Sequence, residues 1–169
     1  MHRISIKLGL ALVVILTSFA ATAMAADHTL LTPLLVDLKG WDAEPARGMT
    51  MDMGTSKMIN AAREYRQGGK KLMAMLVLGD QAMTQGSMQA MKTETAEGKM
   101  SITTIDGFKA QTFYDKIERS GGVMVNLGQS QQQGAMFFLN YEGLSEEEGL
   151  KLAKEFNWKE MKKSVDKLF

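Results

Sequence analysis

The chain has no cysteine and only two histidines, His2 and His28, among its 169 residues. Without a thiol there can be no disulfide framework, no thiolate nucleophile and no lipid-bearing cysteine behind a leader. His2 falls in a segment expected to be removed, which leaves His28 as the one imidazole, third from the new terminus, where chains usually fray. Ser-His-Asp and Cys-His catalysis need an internal, oriented base, and tetrahedral zinc sites draw chiefly on Cys and His. Carboxylates are plentiful, but no spacing picks out a pair for acid-base work. These absences point to a protein that is not an enzyme and has no resident cofactor, with copper as the metal to weigh against that expectation.

Charge of one sign is lacking too. Twenty Lys and Arg stand against 19 Asp and Glu, for a formal net charge of +1, which becomes −1 once Arg3 and Lys7 leave with the leader. Such a balance provides no field to draw in nucleic acid or an acidic membrane. The aromatics are scattered and lack the basic interleaving of a nucleic-acid surface. Beyond residue 25 no apolar run approaches the ~20 residues that a membrane-crossing helix needs.

What is present begins with an export signal. His2, Arg3 and Lys7 make a positive start, Leu8 to Phe19 an apolar core, and Ala23-Met24-Ala25 a small-x-small cleavage pattern. Residues 1–25 are therefore expected to be cleaved. Residues 26–169 would form one domain in the periplasm or beyond it, soluble and not inserted in the membrane, large enough to bury about 70% of the unfolded surface.

The pattern from there is α+β. Thr32, Pro33 and the leucines Leu34, Leu35 and Leu38 predict a short helix over Leu30 to Gly40, stopped by Gly40, with Trp41 as an anchor on the core. Lys57 to Arg66 suits a helix or a strand. The following Gln67-Gly68-Gly69-Lys70 is hairpin-turn chemistry, and the apolar run Leu72 to Leu78 suits a strand covered on both faces, so a β-hairpin is expected. Asp80 is placed to cap a helix from about Gln81 to Lys92. A four-stranded meander follows: Met100 to Ile105, an Asp106-Gly107 turn, Phe108 to Glu118, a Ser120-Gly121-Gly122 turn, Val123 to Leu127, a polar Gly128 to Gly134 loop, and Ala135 to Tyr141. Two helices close the chain. Ser145 and Glu148 form a capping box for the first, and Asn157 with Glu160 starts the second. The expected fold is thus a five- or six-stranded antiparallel sheet, hairpin plus meander, flanked by helices.

Two stretches could hold metal. Cleavage after Ala25 would expose Ala26-Asp27-His28, whose amine, two amides and imidazole can form a square-planar set for Cu(II) or Ni(II); the alternative is a frayed tail. Met49, Met51 and Met53 alternate between Gly48 and Gly54, a soft donor set for Cu(I) or Ag(I). Against this, residues two apart on a strand lie about 6.8 Å from each other, so the side chains would have to converge. Met73, Met75, Met83, Met88, Met91, Met100, Met124 and Met136 read as adaptable core filler. If exposed instead, methionines could serve as an oxidant sink or a plastic docking surface.

Asp37-Leu38-Lys39-Gly40-Trp41, Glu44-Pro45 and Gly48-Met49 resemble the start of a group of uncharacterised bacterial exported proteins, and the meander with terminal helices is similar in order to PsbP-like domains. The resemblance implies an antiparallel sheet flanked by helices, used for binding or assembly, and transfers no binding residue. The expected role is a periplasmic accessory module that binds a protein or small ligand, with copper handling as the alternative.

Overall fold

The computed structural model describes residues 27–52, 54, 57–80, 91–129 and 133–168. They build nine strands, β1 (Asp42–Ala43), β2 (Arg47–Asp52), β3 (Lys57–Gln67), β4 (Lys70–Asp80), β5 (Met91–Glu94), β6 (Gly98–Ile105), β7 (Phe108–Asp115), β8 (Ser120–Gln129) and β9 (Gln133–Glu142), then two helices, α1 (Glu146–Glu155) and α2 (Trp158–Val165). All pairings are antiparallel in a single sheet of order β1-β3-β4-β9-β8-β7-β6-β5, with β2 beside β1 on the same edge of β3. The sheet is larger than the five or six strands expected. The extra strands are the short β1, β2 and β5; the alternation of Met49 to Met53 fits a strand edge or an extended loop, and Arg47–Asp52 is such a strand, while β1 and β5 show no pattern of their own.

Lys57 to Arg66 is a strand, joined to β4 by Gly68 and Gly69, with Gly68 in the left-handed region at φ +59. Asp106 and Gly107 both have positive φ, at +50 and +88, as a tight two-residue hairpin loop requires.

One face of the sheet carries the core. Ile59, Ala61 and Tyr65 on β3, Leu72, Ala74, Leu76 and Leu78 on β4, Ala135, Phe137, Leu139 and Tyr141 on β9, and Val123, Val125 and Leu127 on β8 are all buried in one cluster with Ala153, Phe156, Trp158, Met161 and Val165 of the helical segment. Leu31, Leu35 and Leu38 complete it beside β3, and Trp41 packs against its rim as expected. Phe156, between the helices, meets Tyr65 edge-on at 6.0 Å and Phe137 at 5.0 Å.

Four sequence expectations are corrected. Asp27 to Leu34 forms two 3-10 turns (Asp27–Leu30 and Thr32–Leu34) and no α-helix. The reason lies on β3: Arg63 donates to the Leu35 and Glu44 carbonyls, at 2.7 and 2.8 Å, and the Tyr65 hydroxyl donates to the Val36 carbonyl at 2.8 Å. The Leu35 and Val36 carbonyls would close the next helical turn, so the sheet satisfies the backbone in its place. Burial pushes the Tyr65 hydroxyl up to about 12, consistent with a donor that stays protonated. Second, Met91 and Lys92 open β5; the rest of the helix expected over Gln81 to Lys92 lies outside the described residues. Third, β7 ends at Asp115, whose carboxylate accepts from the Ile117 and Glu118 amides, so Lys116 to Arg119 make the turn and Gly121 and Gly122 belong to β8. Fourth, β4 is covered on one face only, since Met73 is 40% exposed.

α1 starts at the expected capping box: Ser145 Oγ accepts from the Glu148 amide, and the Glu148 carboxylate accepts from the Ser145 amide at 2.8 Å and from Lys70 Nζ at 3.1 Å. These bonds hold the carboxyl at about 2, against an ordinary 4.5. A depressed value stabilises the fold fully above 4.5, and that contribution is lost as the pH falls through about 2. Circular dichroism melts of Glu148→Gln are expected to decline less steeply than those of the parent chain over this range. Equal slopes would contradict the assignment. Among the described residues no helix is long and apolar enough to cross a membrane.

Candidate functional site

The feature that sequence reasoning missed is the other face of the sheet. Side chains alternate along a strand, so every residue paired with an outward one is itself outward. The register therefore sets one row straight across the sheet: Arg47, Ala62, Met75, Phe138, Met124, Gln111, Ile102 and Met91. A second row reads Glu64, Met73, Asn140, Gly122, Phe113, Met100 and Thr93. A shorter third holds Met49, Asn60, Val77, Met136 and Asn126. With Met51 opposite Met58, this face gathers Met49, Met51, Met58, Met73, Met75, Met91, Met100, Met124 and Met136. Met161, in the helical core, is the one other methionine among the described residues.

The reading of Met73, Met75, Met91, Met100 and Met124 as core filler is thus corrected, while Met136, on the same face, is buried; Met83 and Met88 lie outside the described residues. Leu and Ala take the inward positions of β4, while Met and Val take the outward ones. Met49, Met73, Met91 and Phe113 are 40–48% exposed. The thioethers are not inert, since Gln111 Nε2 donates to Met100 Sδ at 3.5 Å.

A shallow groove of about 570 Å³ opens where this face meets the charged end of the strands, lined by Met73, Phe113, Gly121, Asn140 and Tyr141. Phe113 leans over Gly122, where a Cβ would come within 2.4 Å of its ring. A side chain there would push the ring off the sheet. The groove's outer rim is the row Arg66, Lys71, Glu142, Ser120 and Asp115. Lys71 pairs with Glu142 at 3.3 Å, and Arg66 with Glu44 and Glu64 at 3.1 and 3.0 Å. Exposed pairs like these contribute little stability, but they give the apolar band a polar border.

The two metal candidates fall on opposite faces of β2. His28 packs on the core side, its ring against Gly48, where a Cβ would meet it at 2.6 Å, and its Nδ1 lies 3.3 Å from Thr50 Oγ1. It is a half-buried part of the fold and no frayed tail. Holding copper together with the Ala26 amine and the Asp27 and His28 amide nitrogens would require the ring to leave Gly48 and Thr50. Ala26 and Met53 lie outside the described residues. Met49 and Met51 point to the open face, where Met58 stands opposite Met51, so Met58 is a third thioether that the Met-x-Met spacing did not reveal. Among the described residues no group of three or more His, Cys, Asp or Glu side chains is placed to hold a metal ion.

Comparison with known proteins returns no match: no family model, no curated protein and no solved structure is similar to this chain. The chemistry of the face itself has to carry the functional reading. It is a broad apolar band of adaptable thioethers with a groove, bordered by ion pairs, and large exposed apolar patches on soluble folds mark interaction sites.

Proposed function

We propose that the chain is a periplasmic, non-enzymatic accessory module that binds an apolar partner surface through the methionine-lined face of its sheet. One observation carries this reading: eleven of the twenty outward positions in the three rows, which polar residues normally take in a one-sided antiparallel sheet, are held by Met, Phe, Val and Ile, interspersed with Arg47, Asn60, Glu64, Thr93, Gln111, Asn126 and Asn140. Exposing that much apolar surface favours aggregation unless something covers it. Methionine suits the task, because an unbranched, polarizable side chain repacks around a partner at small cost. Copper handling is the second reading, on the observation that Met49, Met51 and Met58 share one corner of the face.

The test places a photo-reactive residue at position 73 on the face or at position 151 on the exposed side of α1. Crosslinks in intact cells are expected from position 73 and not from position 151. A chain that crosslinks from neither position would contradict the proposal.

A further inference from the structure

We infer that the occupant of the methionine-lined face is a second copy of this chain, packed face to face about a twofold axis parallel to the strands and lying between β8 and β9. This rests on that face being a binding surface, and it names the partner.

Near that axis the rows meet apolar on apolar; at the flanks Glu64 falls on Met100 and Arg47 on Met91, where each keeps its own ion-pair partner, Arg66 and Glu44. Sheets packed face to face keep their strands within about 30° of each other, so the twofold lays β9 over β8 of the second copy and β4 over β7. Phe138 then falls on Met124 of the second copy, and Met73 on Phe113. By symmetry each contact occurs twice, and sulfur against an aromatic ring is a favourable pairing. Met73 and Phe113, 40% and 42% exposed, stand on either side of the groove with Asn140 and Gly122 between them, so thioether and ring of one copy are both free to meet those of the other.

Charge selects the same axis. A twofold parallel to the strands keeps the charged rim of one copy over the rim of the other and brings Lys71 of β4 above Asp115 of β7. An axis across the strands would instead press that rim onto the apolar end near Met49 and Met136, which buries charges without partners. The rim mixes acids with cations, so it gives no preference for an anionic lipid surface. With a formal net charge of +1, or −1 without residues 1–25, two copies approach without appreciable repulsion.

Size fits as well. Strands about 4.8 Å apart and three rows about 6.8 Å apart give roughly 700 Å² of band per copy, or roughly 1,400 Å² for the pair, within the range of specific interfaces.

Sedimentation equilibrium of the chain, purified as the cell processes it, tests this over about 1 to 100 µM. The expected mass at the upper end is twice that of the chain. Met124→Glu and Met73→Glu, both folded by circular dichroism, should weaken association by about tenfold or more. Lys71→Glu should weaken it less, and Lys151→Glu on α1 should leave it unchanged. A single-chain mass throughout, or a dimer that survives both face substitutions, overturns the inference. If the mass stays single while position 73 crosslinks a different molecule, the second copy is ruled out and the binding face stands; if it crosslinks nothing, both fall.

Discussion

Phe156→Ala is expected to cost about 3–5 kcal/mol of folding stability, the largest loss from any single truncation considered, measured by urea unfolding of the purified chain. Phe156 is 1% exposed and sits where α1 hands over to α2, with its ring against Tyr65 of β3 and Phe137 of β9. It joins the helical layer to two strands of the sheet at once. Truncation removes the aromatic contacts and leaves a cavity under both helices, which cannot collapse because Leu139, Val123 and Ala153 are held by the strands and by α1. Ile117→Ala is the control, since Ile117 is 69% exposed in a turn and its loss should change stability by less than about 0.5 kcal/mol. A loss at Phe156 below about 1 kcal/mol would mean that the helices are not seated on this face.

Gly149→Ala is expected to destabilise the chain by about 1–3 kcal/mol, against the usual sign for a helix. In a helix interior Ala is normally the better residue by about 1 kcal/mol. Here a Cβ on Gly149 would lie 2.3 Å from Cε1 of Tyr141 and 2.4 Å from its Cζ. The ring has no room to retreat. It is buried, stacked on Tyr114 at 6.4 Å, and a Cβ on Gly121 across the sheet would come within 2.6 Å of its hydroxyl. Gly149 and Gly121 therefore bracket Tyr141 and let α1 approach β9 closely. Thermal melts of Gly149→Ala should show a midpoint lowered by several degrees. A raised midpoint would contradict the packing.

Much of this fold was legible in the chain. The Gly68-Gly69 and Asp106-Gly107 turns, the Ser145 capping box and the Asn157 start were each written in local chemistry that tertiary packing reinforced. Lys57 to Arg66 could not be settled by its own periodicity, because Met58, Ala62 and Tyr65 fit a helix while Ile59, Ala61 and Tyr65 fit a strand; the turn after it favours a hairpin, and pairing with β2 and β4 makes it a strand. The 3-10 turns near the start were hidden because their cause, Arg63 and Tyr65 reaching for the Leu35 and Val36 carbonyls, lies about thirty residues away. β1 and β5 are too short and too exposed to carry a pattern.

The candidate site was less legible, for a simpler reason. In Leu72-Met73-Ala74-Met75-Leu76-Val77-Leu78 every residue is apolar, so the alternation that sends Leu and Ala inward and Met and Val outward is invisible when all count alike. Distinguishing Met from Leu within such runs would have exposed it. The same alternation recurs at Met124 between Val123 and Val125, and at Met136 and Phe138 around Phe137.

Everything proposed for this chain depends on those thioethers lining the face opposite the helices. Labelling the methionine methyls with carbon-13 and adding a soluble nitroxide tests that directly, at a dilution where copies separate. The methyl signals of Met49, Met73 and Met91 should bleach while that of Met161 persists. If all four signals are equally protected, or Met161 bleaches with the others, the methionines do not divide between an open face and a helical core.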